Sequence, residues 1–154
     1  MRNENNTDRG RIFVFNFSLA IALFALTGCG SLMHPRAGEF LDQAKGASGI
    51  ETEINLTNMV EASIKAVQGQ ADYEKGLDTL HNQLYALKKS SCQVTEEQGK
   101  TVAYAKAHTL RREIGTIFHR LWKNREDHAL RDMHLELLSK RVGELREALQ
   151  AAKG

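Results

Sequence analysis

The sequence predicts an all-α fold: an antiparallel helical bundle of four helices that follows a short flexible tether. Three observations lead there. The 154 residues hold a single proline, Pro35, so nothing beyond it interrupts a helix by removing an amide donor. Apolar residues recur at spacings of three and four in four separate stretches, which lays each set along one helix face. Between those stretches stand Gly, Asp, Thr and Asn, residues suited to ending and starting helices.

In chain order, the first stretch is different. Residues from Ile12 to Ala25 are apolar apart from Asn16 and Ser18, and Arg2, Arg9 and Arg11 outnumber Glu4 and Asp8 ahead of them. A spanning helix needs about 20 mostly apolar residues, so this run is too short to remain as one. It closes on Leu26-Thr27-Gly28-Cys29: an aliphatic residue, a small residue, Gly, then Cys.

That tetrapeptide resembles the lipobox of bacterial lipoprotein precursors, position by position. The resemblance implies cleavage between Gly28 and Cys29, a diacylglycerol on the Cys29 sulfur and an N-acyl chain on its new amino group. Each buried methylene contributes about 0.8 kcal/mol, so two or three chains hold where one would be marginal. No other cofactor is expected. Gly30 stands where an Asp commonly signals retention in the inner membrane, so the same resemblance places the protein in the cell envelope, at the outer membrane. The penultimate Lys153 departs from the murein lipoprotein pattern, in which the last residue is the Lys joined to peptidoglycan.

The expected organisation is therefore a cleaved signal peptide at 1–28, the lipidated Cys and tether at 29–48, and a helical bundle domain at 49–154. Pro35 and Gly30, Gly38, Gly46 and Gly49 give the tether its slack, with at most a short helix over Glu39 to Lys45. The first long helix runs from about Ile50 to Gln68, with Leu56, Val60, Ile64 and Val67 on one face and Glu53, Glu61 and Lys65 read as lying off it. Gly69 offers a C-cap and Asp72 an N-cap to the next helix. That second helix carries Tyr73, Leu77, Leu80, Leu84 and Leu87, and ends on Lys88 and Lys89, which complement its dipole. Gly76 within it costs up to about 1 kcal/mol in an exposed helix, which allows close packing there without demonstrating it.

Thr95-Glu96-Glu97-Gln98 has the form of a capping box and is expected to open the third helix. Its seam is Ala103, Ala107, Leu110, Ile114, Ile117 and Leu121, widened by Phe118 and Trp122 to the broad face of a helix inside a bundle. The last helix carries Leu135, Leu138, Val142, Leu145, Leu149 and Ala152, with Leu130, Met133 and Leu137 beside that seam. A turn near Asn124, which could cap the last helix, gives four helices. Uninterrupted phase through Lys123 to Asp127 would instead give three, the last one long.

Composition narrows function by exclusion. With 21 basic and 19 acidic residues mixed along the chain, no charged footprint for nucleic acid is expected, and loss of residues 1–28 leaves the balance near neutral. If Cys29 carries lipid, Cys92 is a lone thiol, read as a buried or inert group at a helix end or as a possible intermolecular thiol. Six His residues invite a metal, yet there is no Cys-x-x-Cys-His and no His-Glu-x-x-His. The loosest workable set is His128, Asp132 and His134 with help from another helix. Ser90, His81 and Asp78 share one helix without a nucleophile elbow, so no catalytic residues and no enzyme are expected. Arg111, Arg112, Arg120 and Arg125 read as a solvated face, and Tyr104, Phe118 and Trp122 as core.

The resulting expectation is a lipid-anchored envelope protein with a structural, protein-binding or assembly role. The partners in view are the membrane through the anchor, an envelope protein, and further copies of the chain in a homo-oligomer. The alternative is a periplasmic metal-binding or sensing bundle built on the scattered His residues.

Overall fold

Periodic apolar faces need partner faces, and the way they pair sets the architecture. A computed structural model describes residues 34–68 and 73–153, all within the second of the two units into which the chain divides, His34–Gly154. The apolar run, the lipobox with Gly28 and Cys29, and the turn expected at 69–72 lie outside the described residues. The described residues form six α-helices and no strand: α1 (Ala37–Ala44), α2 (Gly49–Gln68), α3 (Tyr73–Ser90), α4 (Glu96–Gly99), α5 (Val102–Lys123) and α6 (His128–Lys153), with a 3₁₀ turn at Ser91–Gln93. None is long and apolar enough to cross a membrane.

The packing is a series: α3 lies on α2, α2 on α6 and α6 on α5, while α1 crosses α2 and α3. Helices α3 and α5, at the two ends of that series, meet at few positions. The seams read from the sequence supply the core. Leu56, Val60 and Ile64 of α2, Leu77 and Leu80 of α3, Ala107 and Leu121 of α5, and Leu135, Leu138, Val142, Leu145 and Leu149 of α6 are wholly removed from solvent. Phe118 is buried and Trp122 packs half-buried against the same core.

Several boundaries differ from expectation, each for a local reason. Part of the stretch read as a tether is packed helix: Ala37, Phe40 and Ala44 of α1 are buried against α2 and α3. Phe40 is a large apolar side chain that gains by leaving water, and the Arg36 amide donates to Asn82 Oδ1 at 3.2 Å, fastening the start of α1 to α3. The Thr95 capping box forms, with Gln98 reaching back, but it opens only the four-residue α4. A second start follows at Thr101, whose hydroxyl accepts from the Tyr104 amide at 3.1 Å and begins α5.

The chain does turn between α5 and α6. Asn124 ends α5 rather than capping α6, its amide donating to the Arg120 carbonyl. Asp127 takes the capping place, its Oδ1 accepting from the Leu130 amide at 3.0 Å.

Two glycines hold close approaches. A Cβ at Gly76 would stand 2.7 Å from Val67 Cγ2, which is how α3 settles on α2. A Cβ at Gly49 would overlap the carbonyl of Gln93, so the first residue of α2 sits directly on the 3₁₀ turn that follows α3. Gly49 thus belongs to the packed domain as a contact, not as slack.

Candidate functional site

A buried carboxylate marks the centre of the candidate site. Glu53, on α2, is fully buried, against the expectation that it stays off the apolar face. It lies three residues before Leu56 and seven before Val60, so the helical repeat itself puts it on the stripe. Two groups on α5 meet it. Tyr104 Oη donates to Glu53 Oε1 at 3.0 Å, and Arg111 Nη1 donates to Glu53 Oε2. Tyr104 and Arg111 are seven residues apart, two turns of one helix, so both reach the same neighbour. The Arg111 guanidinium also lies 4.9 Å from the Tyr104 ring centroid.

The electrostatics follow from burial. Removal from water pushes the Glu53 carboxyl above the usual carboxylate range, while the Arg111 charge and the Tyr104 hydroxyl pull it back. Tyr104 is pushed up to about 12, first by its own burial and then by the Glu53 charge, so it stays a hydrogen-bond donor. Arg111 spends one nitrogen on Glu53. Its side chain is only 9% exposed, and its Nη2 is buried with no partner.

Arg111 also lines a groove of about 1090 Å³ bounded by α3, α5 and α6. Leu87, Ile114 and Ile117 give it apolar walls, with Leu137 at the α6 side. Lys88 comes from α3, Arg112 from α5 and Arg141 from α6. Arg141 is paired with Glu113 at 3.1 Å and also bonds Glu144, which raises its own pKa and lowers that of Glu144. Lys88 and Arg112 form no salt bridge among the described residues. Gly115 adds no side chain, and a Cβ there would meet nothing within 4 Å. The groove exists because α3 and α5 are held apart: each is seated on a different member of the α2–α6 pair.

An aromatic cluster closes the junction of α1, α3 and α5. His34 stacks on Tyr85 with ring centroids 4.0 Å apart and meets His81 edge-on at 4.4 Å. His81 in turn lies 5.1 Å from both Phe118 and Trp122. Burial lowers the pKa of both His, and the mutual His34–His81 repulsion lowers that of His81 further; Asp78 opposes in both cases.

Cys92 is exposed within the 3₁₀ turn and lines one end of the groove, so the reading of a buried thiol does not hold. His128 lies 2.9 Å from Arg131, Asp132 also contacts Arg131, and buried His134 faces the Leu130 carbonyl at 2.6 Å. Each is engaged with its own helix. Among the described residues no three His, Cys, Asp or Glu side chains are gathered to hold a metal ion. His108 and His119 both line the groove, on the exposed side of α5. Ser90 donates to the Leu87 carbonyl of its own helix. No protein-family model, no curated protein and no solved structure matches this chain.

Proposed function

We propose that this protein is a lipid-anchored component of the bacterial cell envelope that acts as a non-catalytic adaptor, holding a partner protein in the groove between α3 and α5. In this reading the four long helices work as one antiparallel bundle. Pairs between Arg146 and Glu61 and between Lys153 and Glu51 support opposite directions for α6 and α2. The anchor rests on the lipobox Leu26-Thr27-Gly28-Cys29, with acyl chains on Cys29, and Gly30 favours the outer membrane.

The groove is the observation that carries the adaptor role. It joins apolar side chains to a rim of cations, the combination that lets a docked helix gain from burial and from charge pairing together.

The test has two independent parts. Intact mass spectrometry of the cell-purified protein is expected to show loss of 1–28 and acylation at Cys29, and Cys29→Ala is expected to release the protein from membranes. A photo-crosslinker placed at Thr116 in the groove is expected to give a discrete protein adduct that the same crosslinker at exposed Gln150 does not. An unmodified residue 29 would end the anchored reading. Equal adducts from both positions would end the adaptor reading.

A further inference from the structure

Resting on the adaptor reading, we infer that the groove accepts an acidic amphipathic helix, about two turns of it, with apolar residues at i, i+3 or i+4, and i+7 and carboxylates on both flanks. Charge is the first reason. Within the groove Arg141 is paired with both Glu113 and Glu144 and Arg111 with Glu53, which leaves Lys88 on the α3 wall and Arg112 on the α5 wall as the cations without a salt bridge among the described residues. They stand on different walls, so the complementary ligand carries negative charge on two sides of an apolar stripe. A basic or neutral helix would leave both cations unmatched.

Size and shape are the second reason. A helix with side chains is roughly 11 Å across, so a volume of about 1090 Å³ holds close to 11 Å of it, roughly seven or eight residues. The same length recurs on α6. Leu130, Met133 and Leu137 are exposed at 37%, 50% and 38%, spaced three and four apart, and Leu137 is part of the groove lining. An exposed apolar stripe of two turns that runs into a cation-rimmed groove continues the apolar surface past the groove, so a docked helix longer than two turns gains further burial there. Arg111, which lines the same wall, also keeps one donor, Nη2, without a partner.

A fatty acid would use the apolar walls and one cation but has no use for a second cation on the opposite wall. A second copy of this chain would have to present an acidic stripe of its own.

The experiment is selection of displayed 14-residue helical peptides, randomised on both flanks of an apolar stripe, on the full chain in detergent. A fluorophore on Cys92, which lines the groove, attached in the Cys29→Ala chain so that Cys92 is the single thiol, reads binding of the recovered peptides. Recovered sequences are expected to be enriched in Asp and Glu on both flanks, and K88E/R112E is expected to weaken them at least tenfold with an unchanged circular dichroism spectrum. Gly115→Leu, which fills the groove without touching charge, is expected to weaken them as much. Recovery of no binder, binders without acidic enrichment, equal affinity for K88E/R112E, or displacement by oleate would each overturn the proposal. So would a sedimentation shift to a dimer that K88E/R112E abolishes. None of these outcomes depends on whether Cys29 is acylated, so this proposal and the anchored reading fail separately.

Discussion

Arg111 reaches across from α5 to the fully buried carboxylate of Glu53 on α2 and provides the charge that lets that carboxylate stay inside. Helices α2 and α5 are not neighbours in the main packing series, so this pair ties together elements that the seams alone leave apart. Removing one partner strands the other in a medium that solvates it poorly. Arg111→Ala is expected to destabilise the fold by about 3–5 kcal/mol, whereas replacing both, as in Glu53→Leu with Arg111→Met, is expected to recover most of that loss. Urea denaturation of the three variants, compared by midpoint, checks the prediction. A double variant no more stable than the single one would refute it.

Gly49 and Gly115 are both helical glycines with opposite expectations. A Cβ at Gly49 would meet the backbone at Gln93, which cannot swing aside like a side-chain tip. Gly49→Ala is expected to cost about 1–3 kcal/mol through forced separation of α2 from the 3₁₀ turn. At Gly115 the space is open, and Gly115→Ala is expected to stabilise by about 0.5–1 kcal/mol because alanine loses less backbone freedom in a helix. Thermal melts of the two variants should move in opposite directions from the parent.

His34 and His81 give the fold a pH dependence. Both have pKa values below the ordinary 6.5, so in the interval between the lowered folded values and 6.5 the unfolded chain binds more protons than the folded one. Stability is therefore complete above 6.5 and declines as pH falls through that interval. The His34–Tyr85 stack and the His34–His81 contact link α1 to α3, so hydrogen exchange on acidification is expected to rise first in Ala37–Ala44. His81→Gln should flatten the dependence of melting temperature on pH between 5 and 7.5.

Asp127 separates α5 from α6 by capping the second. Asp127→Ala is expected to cost about 1 kcal/mol, and Asp127→Asn much less, because the amide oxygen still accepts from the Leu130 amide. Amide exchange at Leu130 distinguishes a lost cap from a general loss of stability, rising in the first variant and not in the second.

Local chemistry read along the chain was enough for the helical class and the four long apolar seams; the break between α5 and α6 was not legible, because the seam keeps its phase through Lys123 to Asp127 and the cap that ends it is Asp127 rather than Asn124. Leu135, Leu138, Val142, Leu145 and Leu149 are buried as their spacing requires, since a three-four repeat can face only one side of a helix. The same repeat contains Glu53, and only the habit of assigning carboxylates to the surface hid it. The Thr95 capping box was legible as a helix start, but a cap says nothing of how long the helix it opens will be.

What the tertiary structure alone decided is where faces go once helices meet. Whether Phe40 packs or dangles depends on the surface offered by α2 and α3. Which cation pairs with Glu53 depends on the crossing of α2 and α5, residues 58 apart in the chain. The groove has no sequence signature, because it is the space left when α3 and α5 sit on opposite members of the α2–α6 pair. Periodicity records which side of a helix avoids water; the separation between two helices is set by what each of them rests on.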